Sequence, residues 1–309
     1  MKILVTGAGG QVGRCFAELA PQYPHWQFIF ADSALLDISD RKAVLAFFKQ
    51  YQPDYCINCA AYTAVDKAES EPEKAQAINV KGARNLAEAM ARLRSEGLRS
   101  EGFETPRYGD GDGNGGLIHL STDYVYHGKQ NTPFVESDAV APRSVYARTK
   151  LAGERAALRA FAHTMVIRTS WVYASHGNNF VRTMLRLGAE RPALRVVFDQ
   201  IGTPTYAPDL AAAILQIIAQ CSTDPEKHKA MSGIWHYSNE GVCSWYDFAK
   251  AIFEIKNIPC AVSPITSAEY PTPAQRPPFS VLNKNKIKAA FGLEIPHWRE
   301  GLERCLERL

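Results

Sequence analysis

The chain lacks an apolar run near the roughly 18 residues that cross a bilayer, so no membrane role is expected. It lacks a block of basic residues: 35 lysines and arginines face 32 acidic residues, a formal charge of +3 that gives no reason to expect a nucleic-acid partner. It also lacks a cysteine framework. Seven cysteines, an odd number, are scattered at 15, 56, 59, 221, 243, 260 and 305, which suits free thiols in a reducing cytoplasm. The opening MKILVTGAGG runs straight into a strand pattern and a glycine turn, so it is not expected to be a signal peptide. The one CxxC, Cys56 to Cys59, lies in DYCINCAA. That stretch reads as a buried strand, where residues three apart face opposite sides, so core packing is expected rather than metal or redox chemistry.

What is there is a chain of 309 residues, 46% hydrophobic and 22% charged, enough for one large domain or two smaller ones. Its first half alternates short apolar runs with amphipathic stretches. Strands are predicted at KILVTG (2–7), WQFIFAD (26–32), DYCINCAA (54–61), LIHLS (117–121) and TMVIRTS (164–170), with helices at 11–20, 40–51, 71–94 and 144–161 between them. This order predicts an α/β, Rossmann-type doubly wound parallel sheet. The second half is less regular, with helices expected at 178–190, 207–219, 244–256, 284–291 and 299–308, strands at 194–198 and 234–238, and a proline-rich loop at 269–279. We read residues 1–172 as a dinucleotide-binding domain completed by about 202–238, and 173–201 with 239–309 as a smaller C-terminal substrate-binding lobe. Residues 93–116 repeat LRSEG and then run into DGDGNG. That run matches the first half of a calcium loop, but its twelfth position is Ser121 rather than glutamate, so a surface loop is expected.

Gly7, Gly10 and Gly13 form a G-x-x-G-x-x-G array directly after the first strand. Such a turn lets backbone approach a pyrophosphate, and the helix behind it offers free amides. Asp32 closes the second strand, about where a carboxylate holds the adenosine ribose. A carboxylate there disfavours a 2′-phosphate while Arg14 beside the turn offsets it, so NADPH and NADH both remain open. Tyr146 and Lys150 lie one turn apart at the start of a predicted helix. They read either as a surface pair or as an acid whose pKa a neighbouring ammonium lowers. Thr122, at the end of the fourth strand in STDYVY, would share the substrate oxygen.

TGxxGxxG, STDYVY and YxxxK in this order resemble the extended short-chain dehydrogenase/reductases. The strings NCAAYTAVDKAESEPEKAQAIN (58–79), YARTKLAGE (146–154), RTSWVY (168–173), NNFVRTMLRL (178–187), DQIGTPT (199–205) and YPTPAQRPPFSVLN (270–283) narrow the resemblance to the dTDP-4-dehydrorhamnose reductases. It covers nearly the whole chain apart from 93–116. The resemblance implies reduction of a 4-keto dTDP-sugar by NADPH or NADH. Tyr146 would be the proton donor, Lys150 its cationic partner and a nicotinamide-ribose ligand, and Thr122 the third member. Gly10, Gln11 and Val12 would underlie the pyrophosphate, Asp32, Asp37 and Ile38 the adenine end, and Ala61, Tyr62 and Thr63 the rest of the cofactor. Val65, Asp123, Tyr124 and Trp171 would surround the sugar, with Asn179 at a helix start facing the diphosphate or base. Trp171 also reads as core packing, and Arg276 reads either as a diphosphate partner or as a surface residue. Some members of this family dimerise through a metal between acidic side chains. The counterparts here are Cys15, Glu190 and Arg299, so no metal site is expected, and the chain is read as a monomer or a homodimer without a metal bridge. Other readings are a non-catalytic NADP-binding regulatory subunit and a nucleotide-sugar epimerase.

Overall fold

The computed structural model describes residues 1–95, 115–128 and 130–309. In chain order the principal strands are β1 (Lys2–Thr6), β2 (Gln27–Ala31), β3 (Tyr55–Asn58), β4 (Leu117–Thr122), β5 (Thr164–Thr169), β6 (Ala193–Val197), β7 (Gly233–His236) and β8 (Ala261–Ile265). The principal helices are α1 (Gln11–Leu19), α2 (Arg41–Tyr51), α3 (Val65–Ala68), α4 (Ala83–Ser95), α5 (Val145–Ala160), α6 (Phe180–Glu190), α7 (Ala207–Thr223), α8 (Trp245–Lys256), α9 (Asn285–Phe291) and α10 (Trp298–Glu307). Nearly all of the repeated LRSEG and the DGDGNG run falls on 96–114, outside the described residues.

Six strands pair in parallel in the order β7-β5-β4-β3-β1-β2. Alternate residues leave opposite faces of a strand, and both faces are covered. Ile3 and Val5 join Phe16 of α1 and Ile214 of α7 in one buried layer, while Leu4 joins Phe48 of α2 and Leu86 of α4 in the other. The chain leaves β1 toward β2 on one side and toward β3 and β4 on the other. This reversal opens a crevice at the carboxyl ends of β1 and β3, where open α/β sheets take ligands. The strand expected at 234–238 is β7, which completes this sheet beside β5. The strand expected at 194–198 is β6, which leaves the sheet to pair with β8. β8 went unanticipated because its sequence, AVSPI, is mostly solvent-facing and carries a proline.

A second buried cluster joins Val181 and Met184 of α6, Leu194 of β6, Phe248 and Ile252 of α8, and Leu302 of α10. Helix α5 starts where Ser144 caps it, its Oγ accepting from the Ala147 amide at 3.1 Å. The helix then lies tightly on the segment before α4: a β-carbon at Gly153 would stand 2.1 Å from the Asn79 carbonyl oxygen. That close approach brings the Tyr146 end of α5 to the carboxyl edge of β4.

Candidate active site

The glycine turn is shaped by steric necessity. Gly7 has a φ of +66°, and a β-carbon there would lie 2.6 Å from the Ala60 amide nitrogen at the end of β3. Gly10 begins α1 with no side chain capping its first amides and no acidic residue in the first turn. Gly9 and Gly10 are exposed on the open side of the turn. Free amides and unobstructed backbone fit a dinucleotide's pyrophosphate. Arg14 is exposed, and its Nε donates to the Gly9 carbonyl at 3.0 Å and braces the turn.

At the next strand ends, the sheet presents the polar set. Thr122 terminates β4 and is buried with Asp123, while Tyr146 on α5 is half-buried beside them. Burial pushes the Tyr146 phenol up to about 12; a hydrogen bond with Thr122 opposes this and the Asp123 carboxylate adds to it. The expected direction was downward, and that expectation is corrected. The Lys150 ammonium donates to the Leu120 carbonyl at 2.6 Å, and desolvation outweighs any help to the phenolate. Burial holds Lys150 itself down to about 8, against Glu154 and Cys59. Asp123 is pushed up to about 7 by burial, with hydrogen bonds from Ser280 and Thr122 opposing. Its Oδ1 accepts from Thr122 Oγ1 at 3.1 Å, while its buried Oδ2 has no partner among the described residues. Tyr124 meets the Tyr146 ring edge-on at 5.9 Å. The arrangement sets a protonated phenol, a hydroxyl, an ammonium and an unsatisfied carboxyl oxygen at the carboxyl end of β4.

The sequence profile described as RmlD substrate binding domain matches residues 1–96 and 112–309, leaving out the core of the repeated segment. The chain belongs to this family. It is 38% identical over 309 residues to the dTDP-4-dehydrorhamnose reductase of Aggregatibacter actinomycetemcomitans, covering 98% of this chain and 97% of that one. Among solved structures, a dTDP-4-dehydrorhamnose reductase of Clostridium acetobutylicum superposes with a TM-score of 0.87 at 38% identity, covering 99% of each chain. One from Bacillus anthracis, in complex with NADP, gives 0.87 at 36% identity over 100% of this chain and 99% of that one.

Within this RmlD-type framework the other expected residues fall into three groups. Some lie open along the crevice. Asp32 is exposed just past β2, with Oδ1 accepting from the Ala34 and Leu35 amides. Asp37 caps Ser39, Ala61 and Thr63 follow β3, and Val65 opens α3 half-buried. A second group is structural. The Ile38 side chain is buried beneath α4, and Val12 packs on the main core. The buried Tyr62 takes Asn79 on its amide and donates its hydroxyl to Glu71 at 2.9 Å. A third group is already partnered. Arg276 forms a two-point ion pair with Asp66, at 2.7 and 3.0 Å, and Asn179 donates to Gln11 Oε1 at 2.8 Å while capping α6. In this structure neither side chain is therefore free to meet a diphosphate as expected. Their bonds instead fasten the proline-rich loop to α3 and the start of α6 to the glycine turn.

Trp171 has a φ of +48°, a conformation rare for a bulky residue. Its ring lies against Gly202 and stacks on Trp245 with centroids 3.6 Å apart. Both readings of Trp171 thus have support: it is packed on one side, and only half-buried on the other. Cys56 and Cys59 are not hydrogen-bonded as a pair, and burial pushes both thiols above their ordinary range. The buried Cys15, pushed up to about 12 by burial, donates to the Gln11 carbonyl. Glu190 pairs with Arg186, and Arg299 with Glu254 and Glu303. Among the described residues, no three metal-ligating side chains cluster, and no helix is long and apolar enough to cross a membrane.

Sequence reasoning missed four residues here: Asp66, Trp245, Ser280 and Glu154. Only Glu154 had a readable signal, being four residues beyond Lys150 on the same helix face.

Proposed function

We propose that this protein reduces the 4-keto group of dTDP-4-dehydro-L-rhamnose to give dTDP-L-rhamnose, with Tyr146 as proton donor. The reading is carried by one juxtaposition: Thr122 at the end of β4 bonds with Tyr146, and Lys150, one turn further along α5, donates to Leu120 of the same strand, beside a glycine turn that leads into a helix with no side-chain cap. A reduced nicotinamide dinucleotide, NADPH or NADH, supplies hydride when bound, and Gly7, Gly10, Gln11 and Gly13 would hold its pyrophosphate. The relatives' names supply the substrate, and the identity extends over nearly their full length.

The chain's own groups have separable tasks. Tyr146 is protonated at neutral pH because burial holds its pKa high, and the proton it gives goes to the sugar's carbonyl oxygen as that oxygen gains charge. Thr122, whose hydroxyl donates to Asp123 Oδ1 in this structure, would turn that proton to the same oxygen once the sugar is bound. Lys150 places a positive charge behind the phenol, favouring the phenolate once the proton has gone. The unpartnered Asp123 Oδ2 is suited to a sugar hydroxyl, and Tyr124, Val65 and Trp171 would wall the ring. Residues 173–201 and 239–309 would form the substrate lobe. Work in the cytoplasm is part of the same proposal.

The test is turnover of dTDP-4-dehydro-L-rhamnose followed by nicotinamide absorbance with each reduced cofactor. Wild type should oxidise at least one. Tyr146→Phe should lose about a hundredfold or more in kcat while binding cofactor as before. A Phe variant that keeps its kcat would place the proton source elsewhere.

A further inference from the structure

A second layer of charge lies behind the reacting face, and the proposed chemistry does not use it. Glu154 stands one helical turn beyond Lys150 on α5, and both it and Arg168 of β5 are fully buried. Arg168 grips the carboxylate with Nη2 to Oε2 at 2.7 Å and Nε to Oε1 at 3.0 Å. Oε1 also accepts from the hydroxyl of Ser121, the residue before Thr122. Arg168 Nη1 donates to Tyr126 Oη at 2.6 Å, and Tyr126 in turn meets His236 Nε2 at 2.8 Å. One unbroken chain of bonds thus joins α5, β4, β5 and β7 directly beneath the catalytic set.

Buried ion pairs are not self-explanatory, because apolar side chains of similar volume often serve stability as well or better. The surroundings of Lys150 suggest what this pair does. From β4 it faces the Leu120 carbonyl and the imidazole of His119, which burial and Lys150 itself keep well below its ordinary pKa. From the end of β3 it faces the Cys59 thiol, which burial keeps protonated. On its own helix stand the protonated Tyr146 and Glu154. On β5, Arg168 spends its charge on Glu154. Among the described residues, the only carboxylate acting on the ammonium is therefore Glu154.

We infer that Glu154 is a positioning residue for the reduction, serving as the buried counter-charge of Lys150 and, through Ser121, anchoring the strand end that carries Thr122. This rests on the reading of Tyr146 and Lys150 as the catalytic pair. Without that carboxylate, Lys150 should lose its proton at lower pH.

The experiment compares wild type, Glu154→Gln, Glu154→Asp and the double variant Glu154→Gln/Arg168→Gln. The double variant leaves no charge stranded, so it covers the case where Glu154→Gln fails to fold. Two readouts run across the neutral and alkaline range: kcat/KM, and reduced-cofactor binding by nicotinamide fluorescence. In Glu154→Gln the alkaline limb of both should move down by about one pH unit, a tenfold loss on the wild-type limb, and in the double variant, which removes a cation along with the anion, it should move the same way by less. Glu154→Asp should keep the wild-type limb. Limbs that stay in place while only the thermal midpoint falls would mean a purely structural pair and overturn the inference. A wild-type chain that turns over no substrate would sink the reductase reading instead, and the binding limb would still decide the role of Glu154.

Discussion

Replacing Asp123 with asparagine should stabilise the protein at neutral pH and above, and not in acid. The side chain is 1% exposed, one of its oxygens has no partner, and burial lifts its pKa from 3.8 to about 7. A carboxyl raised in the folded state contributes stability that is fully present below its unfolded pKa and lost as pH rises through the folded one. The rise from 3.8 to about 7 corresponds to about 4 kcal/mol, an order-of-magnitude figure needing no discount for solvent screening at a buried site. Asparagine keeps an acceptor for Thr122 and carries no charge to desolvate. Its amide at the position of the unpartnered oxygen costs about 1–3 kcal/mol as an unmet donor, but that cost does not depend on pH. Urea denaturation of both proteins over acidic to mildly alkaline pH isolates the effect, because every other titrating group cancels in the difference. Stability of Asp123→Asn relative to wild type should climb by about 4 kcal/mol between the two pKa values and then level off. A difference that stays flat with pH would refute the claim that this carboxyl is held neutral by burial.

Lys150→Met should also stabilise the protein while removing most turnover. Burial lowers its pKa from 10.5 to about 8, so at neutral pH the buried ammonium costs about 3 kcal/mol, less about 1 kcal/mol for the bond to Leu120 that methionine forfeits. A depressed lysine costs most below about 8, and the penalty disappears above 10.5, so the gain from Met should fade over that window in thermal or urea melts. A variant less stable than wild type throughout would show that the ammonium is held by more than the structure reveals. Gly13→Ala should abolish cofactor binding and probe the turn directly, because its β-carbon would stand 2.4 Å from the Gly7 carbonyl oxygen. Unchanged nicotinamide fluorescence on titration would mean that the turn is not the pyrophosphate site.

The features legible in the sequence are those that local pattern determines. Short apolar runs punctuated by glycine and aspartate marked β1 to β5, and one-turn spacing put Tyr146 and Lys150 on one face. The rest depended on partners far away in sequence. Arg276 read as a diphosphate partner or a surface residue because nothing near it in the chain neutralises it, yet Asp66, 210 residues earlier, takes both of its terminal nitrogens. Asn179 read as a free helix-start donor, but Gln11, 168 residues away, occupies its amide. The phenol's pKa was misjudged for the same reason. An ammonium neighbour can be read from spacing, whereas desolvation depends on what the whole fold stacks above the ring.

Burial pushes the titratable groups of the site toward their neutral forms, and this orders their titrations. Asp123 ionises first, near 7, and its charge lifts Tyr146 further, making the phenol a weaker acid. Lys150 loses its proton next, near 8, withdrawing the charge that would favour the phenolate. A single alkaline decline in kcat/KM would therefore be two overlapping steps whose apparent values belong to the coupled set. The two steps can be separated by substitution. In Asp123→Asn the lower step should vanish and leave the Lys150 limb alone, and adding Glu154→Gln to that background should move the surviving limb downward. If Asp123→Asn instead left the profile unchanged, the carboxyl would have no electrostatic reach to the phenol. Its place in the site would then be confined to holding the sugar.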